Sequence, residues 1–160
     1  MTGFSAYVQG DVQHVGNRQC TESTKTVTTA TYVPVITLRN KATFNSISNT
    51  SGVFLNSMSV ANNGNRVAII SLYDSPTLTS ASYADVSTNT SCCDADKAAT
   101  ALSGGVLLFT IHLGAVANQV IDLSMYNFYI PPSGFITVAS KCATNGSNAL
   151  SIALNFREDN

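Results

Sequence analysis

The sequence predicts an all-β fold, an antiparallel β-sandwich of jelly-roll-like form with about eight strands. Three observations carry this expectation: apolar and polar residues alternate with period two, clusters of Asn, Gly and Ser separate the alternating segments, and no helical stretch is long enough for the crossovers of a parallel sheet. Composition agrees. Of the 160 residues, 52 are Ser, Thr or Asn, and these short polar side chains compete for nearby backbone groups in helices but suit turns and strand faces. The length fits one domain. It divides into an extended N-terminal arm over 1–30 and a single sandwich domain over 31–160, with a long loop at 75–103.

The arm is irregular, and within it residues 19–29 are strand-like but almost wholly polar, as expected of an arm and not of a core strand. Residues 32–38 form the first strand. Pro34 would remove a ladder hydrogen bond from a central strand, which places it at an edge or at a bulge. Residues 52–60 and 66–73 alternate in the same way, with Asn62-Asn63-Gly64-Asn65 as the turn between them. The pattern weakens over 75–103, where a single helical turn is expected near Asp94, running into the alanines; a loop of that length in a compact domain is commonly functional.

Residues 105–113 are a strong strand, with Leu107, Phe109, Ile111 and Leu113 on an apolar face opposite Thr110 and His112. Shorter strands follow at 119–123 and 127–130. Ile136, Val138 and Cys142 alternate with Thr137, Ala139 and Lys141. The last segment is the clearest, placing Leu150, Ile152, Leu154 and Phe156 on one face and Ala149, Ser151, Ala153 and Asn155 on the other. Because Asn145-Gly146-Ser147-Asn148 supplies the residues of a tight hairpin connection, the last two strands are expected to be antiparallel neighbours.

Charge narrows the classes of function. Charged residues make up 11% and the net charge is −1, so the concentrated Lys and Arg that a nucleic-acid surface or an anionic membrane would select are missing. The first residues lack the basic start and apolar run of a signal peptide, and no apolar run approaches the roughly 20 residues of a membrane span. The expectation is a chain made in a cytosol, where Cys20, Cys92, Cys93 and Cys142 are free thiols. The sequons at Asn49, Asn89 and Asn145 then mark only polar loops.

Candidate chemistry is sparse. His14 falls in the arm, and His112 shares the polar face of its strand, where a solvent-facing or interface role is expected. No acid is placed to orient either histidine, and nucleophile elbow, phosphate-loop and zinc-helix motifs are missing. Adjacent Cys92 and Cys93 are expected to point apart, and a metal site would need Cys20 or Cys142 as further ligands. Asp85, Asp94 and Asp96 could offer oxygens to calcium, but the spacing lacks the glycine and distal glutamate of an EF-hand loop; a solvated loop with a helix-capping aspartate is expected. No catalytic residue, metal or cofactor is predicted. The aromatic run Met125-Tyr126-Asn127-Phe128-Tyr129 could stack on sugars, although core and subunit-contact roles are commoner for such residues.

From Gly104 onward the order of motifs is specific. Gly104-Gly105-Val106-Leu107-Leu108-Phe109 is followed by Ile121-Asp122-Leu123, then Ile130-Pro131-Pro132-Ser133-Gly134-Phe135-Ile136-Thr137-Val138-Ala139, and the chain closes with Asn155-Phe156-Arg157-Glu158-Asp159. This resembles a group of tailed-bacteriophage virion proteins in which a β-sandwich ends with such motifs, here with Phe156 where their terminal strand carries Trp. The resemblance covers the last 57 residues well and residues 52–73 loosely. It implies a non-enzymatic capsid decoration or cement protein, made in the host cytoplasm and located on the virion. It also implies partnership with a major capsid protein or other virion protein, as a homotrimer seated at three-fold lattice positions. A fibre-tip or head-fibre adhesin binding host surface glycans is the alternative, and a glycoside hydrolase built on the loop aspartates ranks below both.

Overall fold

The computed structural model describes residues 16–159 and is nearly all β, with 62% of the described residues in strands. Two antiparallel sheets enclose one apolar core. The first contains β1 (Asn17–Val27), β5 (Gly52–Asn62), β12 (Ala117–Asp122), β13 (Tyr129–Ile130) and β15 (Asn148–Asp159), in the order β1-β15-β5-β12 with β13 also on β5. The second contains β2 (Val33–Asn40), β6 (Ala68–Asp74), β8 (Tyr83–Asp85), β9 (Cys93–Asp96), β11 (Val106–Leu113) and β14 (Phe135–Cys142), in the order β11-β6-β14-β2-β9-β8. Two small ribbons pair β3 (Thr43–Phe44) with β4 (Ile47–Ser48) and β7 (Thr77–Thr79) with β10 (Ala101–Ser103). A 3-10 turn at Ser124–Tyr126 joins β12 to β13. All eight strands expected from the alternation are present.

Four expectations are corrected. The first concerns the arm: residues 17–27 form an edge strand, paired with β15 over its full length. The polar sequence misled because the backbone ladder, not apolar burial, holds β1. Its inward positions are Thr21 and Ser23, both buried, and Lys25, whose ammonium donates to the carbonyls of Pro34 (2.8 Å) and Ala99 (2.5 Å). Residues 1–15, with His14, lie outside the described residues.

The second concerns the final hairpin. β14 pairs with β2 and β6, whereas β15 pairs with β1 and β5, so their connection crosses from one sheet to the other. Burial explains the separation. β14 is covered on both faces along most of its length, while β15 alternates strictly, as a strand with one open face must. The turn at 62–65 makes the same crossing, and the two turns are tied together: Asn148 accepts from the Arg66 amide through Oδ1, and a Cβ on Gly64 would stand 2.4 Å from Asn148 Cα.

The third concerns 75–103, which is not an open loop. It carries β7 to β10, and Asp94 and Asp96 sit in the fully buried strand β9, not in a helical turn. Residues 93–96 pair with both β2 and β8, and the β7–β10 ribbon packs against β2, so the segment extends and covers the second sheet. The fourth concerns β11, where a bulge between Leu107 and Phe109 shifts the register against β6. Phe109, Ile111 and Leu113 keep the inward face, but Leu107 turns out and is 54% exposed while Leu108 packs against the core. Pro34 is accommodated as anticipated, beside a bulge at Val35 in its own strand and beyond the residues that β9 pairs.

Buried asparagines fasten the connections. Asn40, fully buried, donates to the carbonyls of Ser51 and Ile130 and accepts from Asn49, and Asn62 donates to the carbonyls of Arg66 and Gly114 while accepting from the Gly64 amide. The sequon at Asn49 lies in the polar loop between β4 and β5, but its amide is buried in this network. No described buried side-chain N or O lacks a hydrogen-bond partner.

Candidate interaction surface

The outer faces of the two sheets differ. The second is largely closed, since Thr37, Thr137 and Ser71 on its outward rows are fully buried; Thr37 and Thr137 hydrogen-bond each other at 2.8 Å, and Ser71 donates to Tyr32. The first sheet keeps its outer face open. Period two dictates which residues line it, and the ladder registers assemble them into rows across four strands: Cys20, Asn155, Ser57, Asp122; then Glu22, Ala153, Ser59, Val120; then Thr24, Ser151, Ala61, Asn118.

In the second and third rows the central strands contribute only Ser and Ala, while the edge strands carry longer side chains. The result is a trough of about 620 Å³ with a floor of Ser59, Ala61, Ser151 and Ala153 and walls that include Glu22, Lys97 and Val120. Two ladder rows beyond the Ala153–Ser59 row of the trough, β15 and β5 carry an aromatic group. The Arg157 guanidinium lies 5.2 Å from the Phe54 ring, which packs 5.1 Å from Tyr129, and Asp159 holds Arg157 through Nε at 2.7 Å.

Beside this face, the flank formed by β11 and β12 exposes Val106, Leu107, Val116, Val120 and Met125, the last at 82%. Tyr126 stacks on Phe128 at 5.5 Å and tilts against Phe109 at 5.2 Å, so one ring of the aromatic run anchors in the core while Tyr126 and Tyr129 remain half exposed. Uncovered apolar side chains at a sheet flank mark a contact surface.

The loop aspartates and His112 do not converge on one site. Asp94 takes Arg39 in a two-pronged ion pair (2.9 and 2.5 Å), with the guanidinium 3.7 Å over the Tyr83 ring; Asp85 pairs with Lys41 at 2.7 Å; Asp96 accepts from the amides of Ser82, Ala98 and Ala99. The hydrogen bond to Asp94 raises the Arg39 pKa. Asp94 and Asp85 thus tie the 75–103 segment to β2 and the residue that follows it, while Asp96 fastens the segment internally. His112 is exposed on β11.

The cysteines separate into two kinds. Cys20 is exposed on the open face, and the buried Cys142 thiol donates to the Val27 carbonyl at 3.1 Å. Cys92 and Cys93 do not point apart, as regular strand geometry would require, because Cys92 lies in the bend that enters β9. Their sulfurs converge with the Glu158 carboxylate, all three ligand atoms lying within 4.8 Å of one another. Sequence reasoning missed Glu158, although a signal was present: it continues the inward parity of Leu150, Ile152, Leu154 and Phe156.

Burial raises the Cys142 pKa above its ordinary 9.0. A group with a raised native pKa contributes stability that is fully present below the unfolded value and is lost as pH rises. The Cys142→Ser variant is therefore expected to lose less stability than the parent between about pH 8 and pH 10. Urea denaturation at the two pH values checks this.

No protein-family model matches the chain, and no curated protein matches it.

Proposed function

We propose that this chain is a non-enzymatic virion structural protein of the decoration or cement type, which binds an assembled capsid shell as a trimer and stabilises it. The observation that carries the reading is the open outer face of the first sheet, whose trough floor is Ser and Ala across the central strands. A flat face of short, uncharged side chains admits a partner's backbone or sheet closely, and covering it costs little desolvation compared with covering Lys or Glu. Binding of this kind works by area and needs no perturbed catalytic group. A ligand that binds only the assembled shell stabilises it by mass action.

The test removes the protein from purified particles. Stripped particles should lose heat or osmotic resistance and recover it when the protein is added back; unchanged resistance would sink the cement reading. The half-exposed Tyr126 and Tyr129 favour a second reading, a fibre-tip or head-fibre adhesin that stacks these rings on host glycans. Copy number discriminates, because a cement protein is present throughout the lattice and a fibre tip at few positions.

A further inference from the structure

We propose that Cys92, Cys93 and Glu158 form a structural binding site for a thiophilic divalent metal ion of the zinc type, buried where the two sheets meet. Cys92 and Cys93 come from the bend before β9 in the second sheet, and Glu158 comes from the C-terminal end of β15 in the first. Each is at most 1% exposed, and their ligand atoms lie within 4.8 Å of one another.

The surroundings hold this trio in place. The Cys93 amide donates to Ser91 Oγ at 3.1 Å, and Ser91 Oγ in turn donates to Glu158 Oε1 at 2.5 Å. Asn17 Nδ2 donates to Glu158 Oε2 at 3.3 Å. The carbonyl of Cys92 accepts from the Lys41 amide and that of Cys93 from the Val86 amide, so the backbone on both sides of the pair is fixed.

Charge gives the second line of argument. Buried carboxylates are normally paired with a cation or bound to a metal. Among the described residues the ion pairs are Arg39 with Asp94, Lys41 with Asp85 and Arg157 with Asp159; none involves Glu158, whose side-chain donors are neutral. A divalent cation would place a positive centre directly against this carboxylate, and because two thiol protons leave as it binds, the cluster keeps its net charge.

Donor chemistry selects the ion. Calcium and magnesium take oxygen ligands, whereas two sulfurs and one carboxylate oxygen suit zinc, whose bonds of about 2.3 Å to sulfur and 2.0 Å to oxygen put tetrahedral ligands roughly 3.5–3.8 Å apart. Side-chain rotation of about 1 Å closes the present trio to that spacing. Binding replaces the two thiol protons, which pass to solvent, so the metal forms two S–metal bonds and one O–metal bond with no change of oxidation state. Burial on all sides makes the site structural, clamping the end of β15 to the start of β9.

The test uses the full chain under reducing conditions, with cobalt(II) as a spectroscopic probe for the zinc position. The expected result is about one equivalent bound with a thiolate-to-cobalt charge-transfer band, displaced by zinc, and a binding constant at least about tenfold weaker in Cys92→Ser and Glu158→Gln. Zinc should also protect Cys92 and Cys93 of the unaltered protein from alkylation in urea at a concentration that unfolds the zinc-free chain, read peptide by peptide, while exposed Cys20 stays reactive. That second readout decides the matter if a variant fails to fold. Absence of both the band and the protection overturns the proposal, as does binding that survives Cys92→Ser but is lost in Cys20→Ser or Cys142→Ser.

Discussion

Replacing Phe156 with Ala is expected to destabilise the protein by about 3–5 kcal/mol, a large share of the roughly 5–15 kcal/mol that holds a domain of this kind together. Phe156 is fully buried, the bulkiest of the fully buried side chains, and stands on β15, which lies between β1 and β5 in the first sheet. Opposite it β5 carries a bulge at Asn56, since Asn155 pairs with Ser57 and Phe156 with Leu55, while the regular alternation of β15 aims the ring inward. Neighbours anchored in two ladders cannot collapse into the vacated space, which keeps the cavity cost high. Thermal unfolding should show a melting temperature lower by about 10 °C or more. A fall of only a degree or two would mean that Phe156 is not a keystone of this core. Phe156→Leu, which keeps much of the volume, should lose far less.

Ala153→Arg is expected to abolish particle binding while leaving the isolated protein folded. Ala153 lies on the trough floor between Glu22 on β1 and Ser59 on β5. An arginine there fills the trough, and its guanidinium can reach Glu22 across the strand pair, so the monomer loses little, within about 0.5 kcal/mol of the parent. A partner seated on the face would meet a steric clash and a charge that it must bury, together costing on the order of 3 kcal/mol, or about a hundredfold in affinity. Co-sedimentation with stripped particles, alongside a melting curve of each variant, makes the measurement. Undiminished binding by Ala153→Arg would remove this face from the interface and turn attention to the β11 and β12 flank.

The terminal motif shows how far residue order can be read. In Asn155-Phe156-Arg157-Glu158-Asp159, alternation alone put Phe156 in the core. It also assigned Glu158 to the same inward side, a consequence that becomes chemically meaningful only beside Cys92 and Cys93, 65 or more positions earlier in the chain. Arg157 and Asp159 face outward, where they pair with each other and Arg157 covers Phe54. The loop aspartates teach the converse. Their spacing suggested a cap or a weak cation site; Asp96 does cap the amides of Ala98 and Ala99, though from a strand and not a helical turn, whereas Asp94 and Asp85 found cations on a distant segment, Arg39 and Lys41.

What residue order determined by itself was the local geometry: period-two alternation sets which side chains share a face, and that was enough for the all-β class, the eight principal strands and the small-residue outer face of β15. Strand partnership was decided only in three dimensions. A strand's hydrogen-bonding groups are the same whatever its side chains, so the polar segment 17–27 could join the sheet, and the 145–148 turn could cross between sheets, without any mark in the local pattern. The same reason governs the candidate sites. The open trough needs four strands in one register, and the cysteine–glutamate cluster needs the end of one sheet laid against the bend that enters the other.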